Sequence, residues 1–344
     1  VFVTGCHRSG TSVLASLLLD VSGATLDQPD CLAPALDNPL GFFESRQLTE
    51  FNDQLLSLLG GDWAHPPLLP PRWHEPPLLD QLAAAREKFS DHALALNWID
   101  KDPRLCITMR AMHHLFLRRI PVMVALRHPF NVAQSLYLRN GFPHERGLVL
   151  WFVYNFHLAC ALGHGDELVT YDQLLSLSEM VVDRDASPFN VDNPILSKMG
   201  SFLAAHGMGR PTPSVWRKAI STRIMPSLNR SNHAKLLQEF SGQVSPSLMD
   251  MVDSTYVDAK NGINPFIRAF SVIPGLILEL SERYSVNAPG PLVNARMRGL
   301  VEELESTRAY ASSLEREVNE IKNSKSWRLS APFRLIADRL HHRQ

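Results

Sequence analysis

The chain has 344 residues, of which 45% are hydrophobic and 20% charged, and a formal net charge of −1 at pH 7. That supplies a core for one large domain with an appendage, or for two smaller domains. The charge balance excludes global steering toward nucleic acid or a membrane, so any anion site must be local.

Four cysteines, Cys6, Cys31, Cys106 and Cys160, fit no zinc or redox spacing, which leads us to expect reduced thiols in a cytosol. No segment reaches the roughly 18 unbroken apolar residues of a membrane span. No leader is read ahead of the first strand, and a cytoplasmic location is expected.

In chain order, residues 1–20 read as strand, loop and helix: VFVT leads into Gly5, and SVLASLLLDV has helical apolar spacing. Residues 27–43 are broken by Pro29, Pro34, Asn38-Pro39 and Gly41. A helix is predicted from about Leu48 to Leu59. Gly and Pro exclude regular structure over 60–77, where Trp63 and Trp73 either line a pocket or pin the loop to the core. ALALNWIDKDPR, residues 93–104, contains a strand-like run. Val122 to Leu126 is the clearest buried strand, and a short strand follows in ELVTYDQL, residues 167–174. Strands alternating with helices predict an α/β fold with a P-loop-like, three-layer parallel sheet and helices on both faces. The core is expected over 1–175 and a mostly helical remainder over 176–285.

The loop Gly5 to Gly10 nearly matches the phosphate loop G-x-x-x-x-G-K-[ST], but Thr11 stands where a triphosphatase has Lys. Two glycines, a helix N-terminus, the hydroxyls of Ser9, Thr11 and Ser12 and the forked charge of Arg8 suit a single phosphate-like group. A magnesium-holding aspartate is not evident: Asp100 and Asp102 come nearest, with Lys101 between them. The ligand is therefore expected to be a nucleotide with a short 5′ anion and no metal. Arg127 ends the buried strand, where open α/β sheets bind ligands, and Ser135 lies eight residues on in a helix that Pro129 starts. The pair could converge on a second phosphate; alone, such an arginine could equally form a surface salt bridge.

These residues resemble the sulfotransferases that use 3′-phosphoadenosine 5′-phosphosulfate (PAPS). HRSGTS stands where that family has P-[KR]-S-G-T-[ST], with His7 for the usual Pro, and Arg127 and Ser135 match its R-x-x-x-x-x-x-x-S element. DKDPR, residues 100–104, is similar to a stretch of the tyrosylprotein branch, and VTYDQL to a Y-E-D-L segment. The resemblance spans about residues 1–175. It implies that Gly5, Arg8, Ser9, Gly10, Thr11 and Ser12 hold the 5′-phosphosulfate, that Arg127 and Ser135 hold the 3′-phosphate, and that Tyr171 lies near the adenine. PAPS is the implied co-substrate and no metal is used, so a triphosphate lysine has no task.

In-line sulfuryl transfer needs charge stabilisation and a base. Arg8 and Lys101 are the candidates for the first role, although Lys101 could instead be a surface residue. Glu44 in NPLGFFES is the candidate base, with two aromatics before it to raise its pKa. It could also be a carboxylate near the cap of the next helix. His7, Asp102 and His113 are the alternative bases. Two other readings are a small-molecule or nucleoside kinase with an atypical loop, and a scaffold carrying a decayed sulfotransferase domain.

Within 290–324, residues Met297, Leu300, Leu304, Thr307, Ala311, Leu314, Val318 and Ile321 step by threes and fours, a heptad seam expected to make a homo-oligomeric coiled coil. A lone helix folded back on the domain has the same pattern. Residues 325–344 are basic and amphipathic, fit for an anionic membrane face or for a partner. KSWRLSAPFR is also similar to a stretch following coiled coils in bacterial surface-polysaccharide proteins, which implies a bacterial enzyme with a glycan hydroxyl as acceptor.

Overall fold

The computed structural model describes residues 1–24, 31–32, 41–67, 98–116, 118–182, 192–225 and 242–271, with single positions at 236, 238, 240, 313 and 316. The chain divides into two compact units, Val1–Val293 and Asn294–Gln344. In the second, Ser313 and Arg316 are described, both helical. The rest of the expected coiled coil, the basic tail and Trp73 lie outside the described residues.

The first unit is α/β. Four parallel strands, β1 (Phe2–Thr4), β2 (Asp100–Lys101), β3 (Val122–Leu126) and β4 (Glu167–Thr170), form a sheet in the order β2-β1-β3-β4. Phe2 pairs with Asp100 on one side and Val122 on the other, and Met123 pairs with Glu167. β1 and β3 are apolar or β-branched throughout and fully buried, the pattern of parallel strands covered on both faces.

Successive side chains of a strand point to opposite faces, and each face has its own partners. Val3, Met123, Ala125 and Val169 join a cluster with Leu14 and Leu17 of α1 (Thr11–Ser22). Phe2 meets Trp98 and Phe116 edge-on, at 5.0 and 6.0 Å between ring centroids. Thr4 Oγ1 lies 3.4 Å from Cys106 Sγ.

Between β1 and β2 comes also α2 (Arg46–Leu58). It starts two residues before the expected Leu48 because Ser45 Oγ accepts the Leu48 N–H at 3.3 Å, an N-cap. After β2 comes α3 (Leu105–Leu115), and after β3 come α4 (Pro129–Asn140) and α5 (His144–Ala161). Pro129 starts α4 as expected, its fixed φ suiting the first helical position. α5 is buried from Gly147 to Ala159. After β4 follow α6 (Tyr171–Ser176), α7 (Glu179–Val182), α8 (Pro194–Ala205), α9 (Pro213–Arg223), α10 (Pro246–Ala259) and α11 (Ile263–Ser271). Among the described residues, no helix is long and apolar enough to cross a membrane.

The chain leaves β1 for β2 on one side and β3 for β4 on the other. The crevice outside the carboxyl ends of β1 and β3 is therefore the topological switch point, where open α/β sheets bind ligands.

Candidate active site

The loop from Gly5 to Gly10 runs from β1 into α1 at that switch point. It sits so close to β3 that a Cβ on Gly5 would lie 2.1 Å from the Ala125 carbonyl oxygen. A tight turn, Ser9 N–H to Cys6 O at 3.1 Å, folds it. Arg8 takes φ 68°, a left-handed conformation that non-glycine residues rarely adopt. Gly10 has φ 89°, and a Cβ there would stand 2.4 Å from the Tyr171 ring. The Ser9 hydroxyl is fully buried and makes no hydrogen bond. Thr11 and Ser12 open α1, whose first backbone bond, Leu14 N–H to Gly10 O, is 3.0 Å. The amides ahead of Leu14 have no carbonyl one turn back to bond within the helix, which makes this terminus receptive to anions.

Arg127 and Ser135 reach the same loop. Arg8 Nε donates to Ser135 Oγ at 2.8 Å, and Arg127 Nη1 donates to the Arg8 carbonyl at 3.0 Å. The Arg127 guanidinium lies over the Tyr171 ring at 4.2 Å. Its own carbonyl accepts the Trp151 indole N–H at 3.0 Å, tying the strand end to α5. Burial holds the Arg127 pKa below its ordinary value. The sequence assigned Arg8 and Ser135 to different phosphates; the fold puts them in direct contact.

Lys101 and Glu44 form a second cluster. Lys101 is 1% exposed; its Nζ donates to Glu44 Oε1 and, at 3.3 Å, to Ser12 Oγ. Lys101 is thus a core residue, not a surface one. Ser12 Oγ in turn donates to the Phe42 carbonyl at 3.3 Å. Glu44 is buried, and that burial raises its pKa, with Lys101 pulling the other way. Ser45 is the N-cap of α2, and Glu44 lies one residue ahead of it, beside the cap.

The alternative bases have their own surroundings. His7 packs its ring 4.9 Å from Trp63 and 5.3 Å from Tyr154, and its Nε2 is buried without a hydrogen bond. Burial and the charges of Arg104, Lys101, Arg139 and Arg8 push its pKa well down. Asp102 accepts from Asn52 Nδ2 at 2.9 Å and from Arg104 Nη1 at 3.1 Å. Burial opposes charge on Arg104, yet Asp102 and Asp53 carry its pKa above the usual guanidinium value. His113 contacts the Ile120 carbonyl at 3.3 Å. Trp63 stacks on Phe142 at 5.8 Å and accepts the Tyr154 hydroxyl on its carbonyl at 2.6 Å.

Sequence reasoning missed Asp100 and Ser45 as partners. Ser45 Oγ donates to Asp100 Oδ2 at 2.6 Å. No periodicity could show this, because the two residues are 55 apart and meet through a helix cap at a strand end. No protein-family model, curated protein or solved structure matches the chain.

Proposed function

We propose that this protein is a PAPS-dependent sulfotransferase that moves a sulfuryl group to a hydroxyl of a glycan or other surface-polysaccharide acceptor. The observation that carries the reading is the convergence at one crevice of Arg8, Arg127 and Ser135, beside the buried Lys101–Glu44 pair. The finer fold reading that goes with it is a P-loop-like three-layer sheet with helices on both faces.

The residues suit such a ligand. The loop offers amides, the Thr11 hydroxyl and the unsatisfied Ser9 hydroxyl to a 5′-phosphosulfate, with Gly5 and Gly10 giving close backbone approach. Arg127 and Ser135 would hold a 3′-phosphate, and Tyr171 would flank the base. PAPS supplies a sulfuryl group on a phosphate leaving group. Glu44, its pKa raised by burial, takes the acceptor's hydroxyl proton. Neutralising Glu44 relieves Lys101 of its partner charge. Lys101 and Arg8 are then set to stabilise negative charge at the leaving oxygen.

The test is calorimetry with adenosine 3′,5′-bisphosphate in EDTA. Binding is expected there, with ATP weak in the presence or absence of Mg²⁺; tight binding of ATP·Mg²⁺ alone would overturn the reading. The same proposal places the protein in the cytoplasm, with residues 293–324 pairing subunits and 325–344 resting on the inner face of an anionic membrane. Ending the chain after Asn287 should give a monomer by light scattering that keeps nucleotide binding and loses flotation with anionic vesicles. A truncated dimer would assign assembly elsewhere.

A further inference from the structure

We infer that Asp100 is a positioning residue: one carboxylate holds the backbone at Ser45 and at Lys101, and so sets the contact between Glu44 and Lys101. The inference rests on the sulfotransferase reading only for naming Glu44 as the base.

Asp100 is 2% exposed. Its Oδ1 accepts the Lys101 N–H at 2.7 Å and the Ser45 N–H at 3.3 Å, while its Oδ2 accepts the Ser45 hydroxyl at 2.6 Å. Ser45 directly follows Glu44, and Lys101 directly follows Asp100. The two members of the ion pair thus sit one residue from the points that this carboxylate grips. The segment carrying Glu44 comes from another part of the chain, and this carboxylate is the contact that ties it to the residue beside Lys101.

The two backbone N–H groups can only donate, so Asp100 Oδ1 accepts from each, and Ser45 Oγ, which accepts the Leu48 N–H at 3.3 Å, donates its one proton to Oδ2. An asparagine can keep its amide oxygen at the Oδ1 position and donate to Ser45 Oγ, so it preserves the three contacts; an alanine removes all of them.

The charged and titratable groups around the pair come from several elements. Lys101, Asp102 and Arg104 face Glu44 from β2 and the start of α3. The Cys31–Leu32 segment lies alongside, with Leu32 N–H donating to the Glu44 carbonyl at 3.0 Å and Cys31 bridged to Ser45. The Cys31 thiol is raised by its own burial and by the charge of Asp100. Burial pushes Asp100 itself up to about 7, with its bonds to Ser45 and to the Lys101 N–H pulling the other way.

The experiment follows Glu44 by carboxyl-resolved NMR titration in the free protein, alongside turnover of labelled PAPS with a glycan panel. In Asp100→Ala the Glu44 midpoint should move to higher pH, because Lys101 no longer holds it down. Turnover should fall about 10²-fold, the usual effect of a displacement near 1 Å, with bisphosphate affinity unchanged. Ser45→Ala should shift the midpoint in the same direction, and Ser45→Thr should restore it. A folded Asp100→Ala protein with the wild-type Glu44 midpoint overturns the inference. If that variant does not fold, an unmoved midpoint in Ser45→Ala overturns it instead. A moved midpoint in a protein that never turns over PAPS leaves the positioning role standing and removes the proposed activity.

Discussion

The two sides of the crevice use their cations differently. On the loop side, Arg8 donates to the Ser135 hydroxyl, and Arg127 donates to a carbonyl and lies over a ring. On the other side, Lys101 meets Glu44, and Arg104 meets Asp102 and Asp53. A guanidinium bonded to a neutral group gains when an anionic oxygen replaces that group, because bonds between ions are roughly twice as strong. A buried ammonium–carboxylate pair resists being opened, since each charge left alone is heavily penalised. The proposed function gives the loop side to an arriving phosphate, and the Lys101 side to a proton acceptor held in one place.

The largest expected effect tests the second half of that comparison. Glu44→Gln keeps the shape and removes the proton acceptor. Turnover of labelled PAPS should fall about 10²–10⁴-fold, the range for a general base, while bisphosphate affinity stays near wild type. The sign of the pH dependence follows from burial, which raises the Glu44 pKa. A base acts when deprotonated, so the wild-type rate should climb with pH through a midpoint above the ordinary glutamate value of about 4.3. That limb should be absent in the variant. An active variant that retains the limb would move the role to His7 or Asp102.

Arg127→Ala tests the first half, with a smaller effect. Losing a charge-assisted contact of this kind should weaken adenosine 3′,5′-bisphosphate by roughly 1.5–3 kcal/mol. Binding of 5′-AMP, measured by the same calorimetry, should change far less. Equal losses for both ligands would place Arg127 on the 5′ side with Arg8, which its bond to the Arg8 carbonyl makes a concrete rival.

The two sides also differ in how far the sequence revealed them. Loop, strand and helix were legible at Gly5, Gly10 and Pro129 because glycine and proline act on their own backbone. Val122 to Leu126 was legible because five buried residues in a row allow little else. Arg8 to Ser135 was not, since 127 residues separate them and only the sheet order brings them together. Lys101 was read as a site residue, but its ion pair with Glu44 depends on how α2 is capped against β2. The cap is Ser45, and its second partner, Asp100, had been weighed only as a metal ligand.

The smallest expected effect separates a reserved donor from an ordinary packing defect. The hydroxyls of Ser9 and Thr49 are both buried without hydrogen bonds. An unsatisfied buried polar group costs about 1–3 kcal/mol, so removing either one should leave the free protein as stable as before, or more stable by up to about 1 kcal/mol. Ser9→Ala and Thr49→Val are the two changes, and thermal unfolding of the free protein reads them. They should diverge once ligand is added. Ser9 lies in the anion loop, one residue from Arg8, and its hydroxyl should donate to the 5′-phosphate. Ser9→Ala should thus weaken the bisphosphate by about 0.5–1.5 kcal/mol, the net value of one hydrogen bond. Thr49 lies in α2 and should leave affinity unchanged. A Ser9→Ala protein that gains stability and binds the bisphosphate as tightly as wild type would show that the orphaned hydroxyl is only a flaw in packing. The loop side would then rest on its arginines, its backbone amides and the hydroxyls of Thr11 and Ser135.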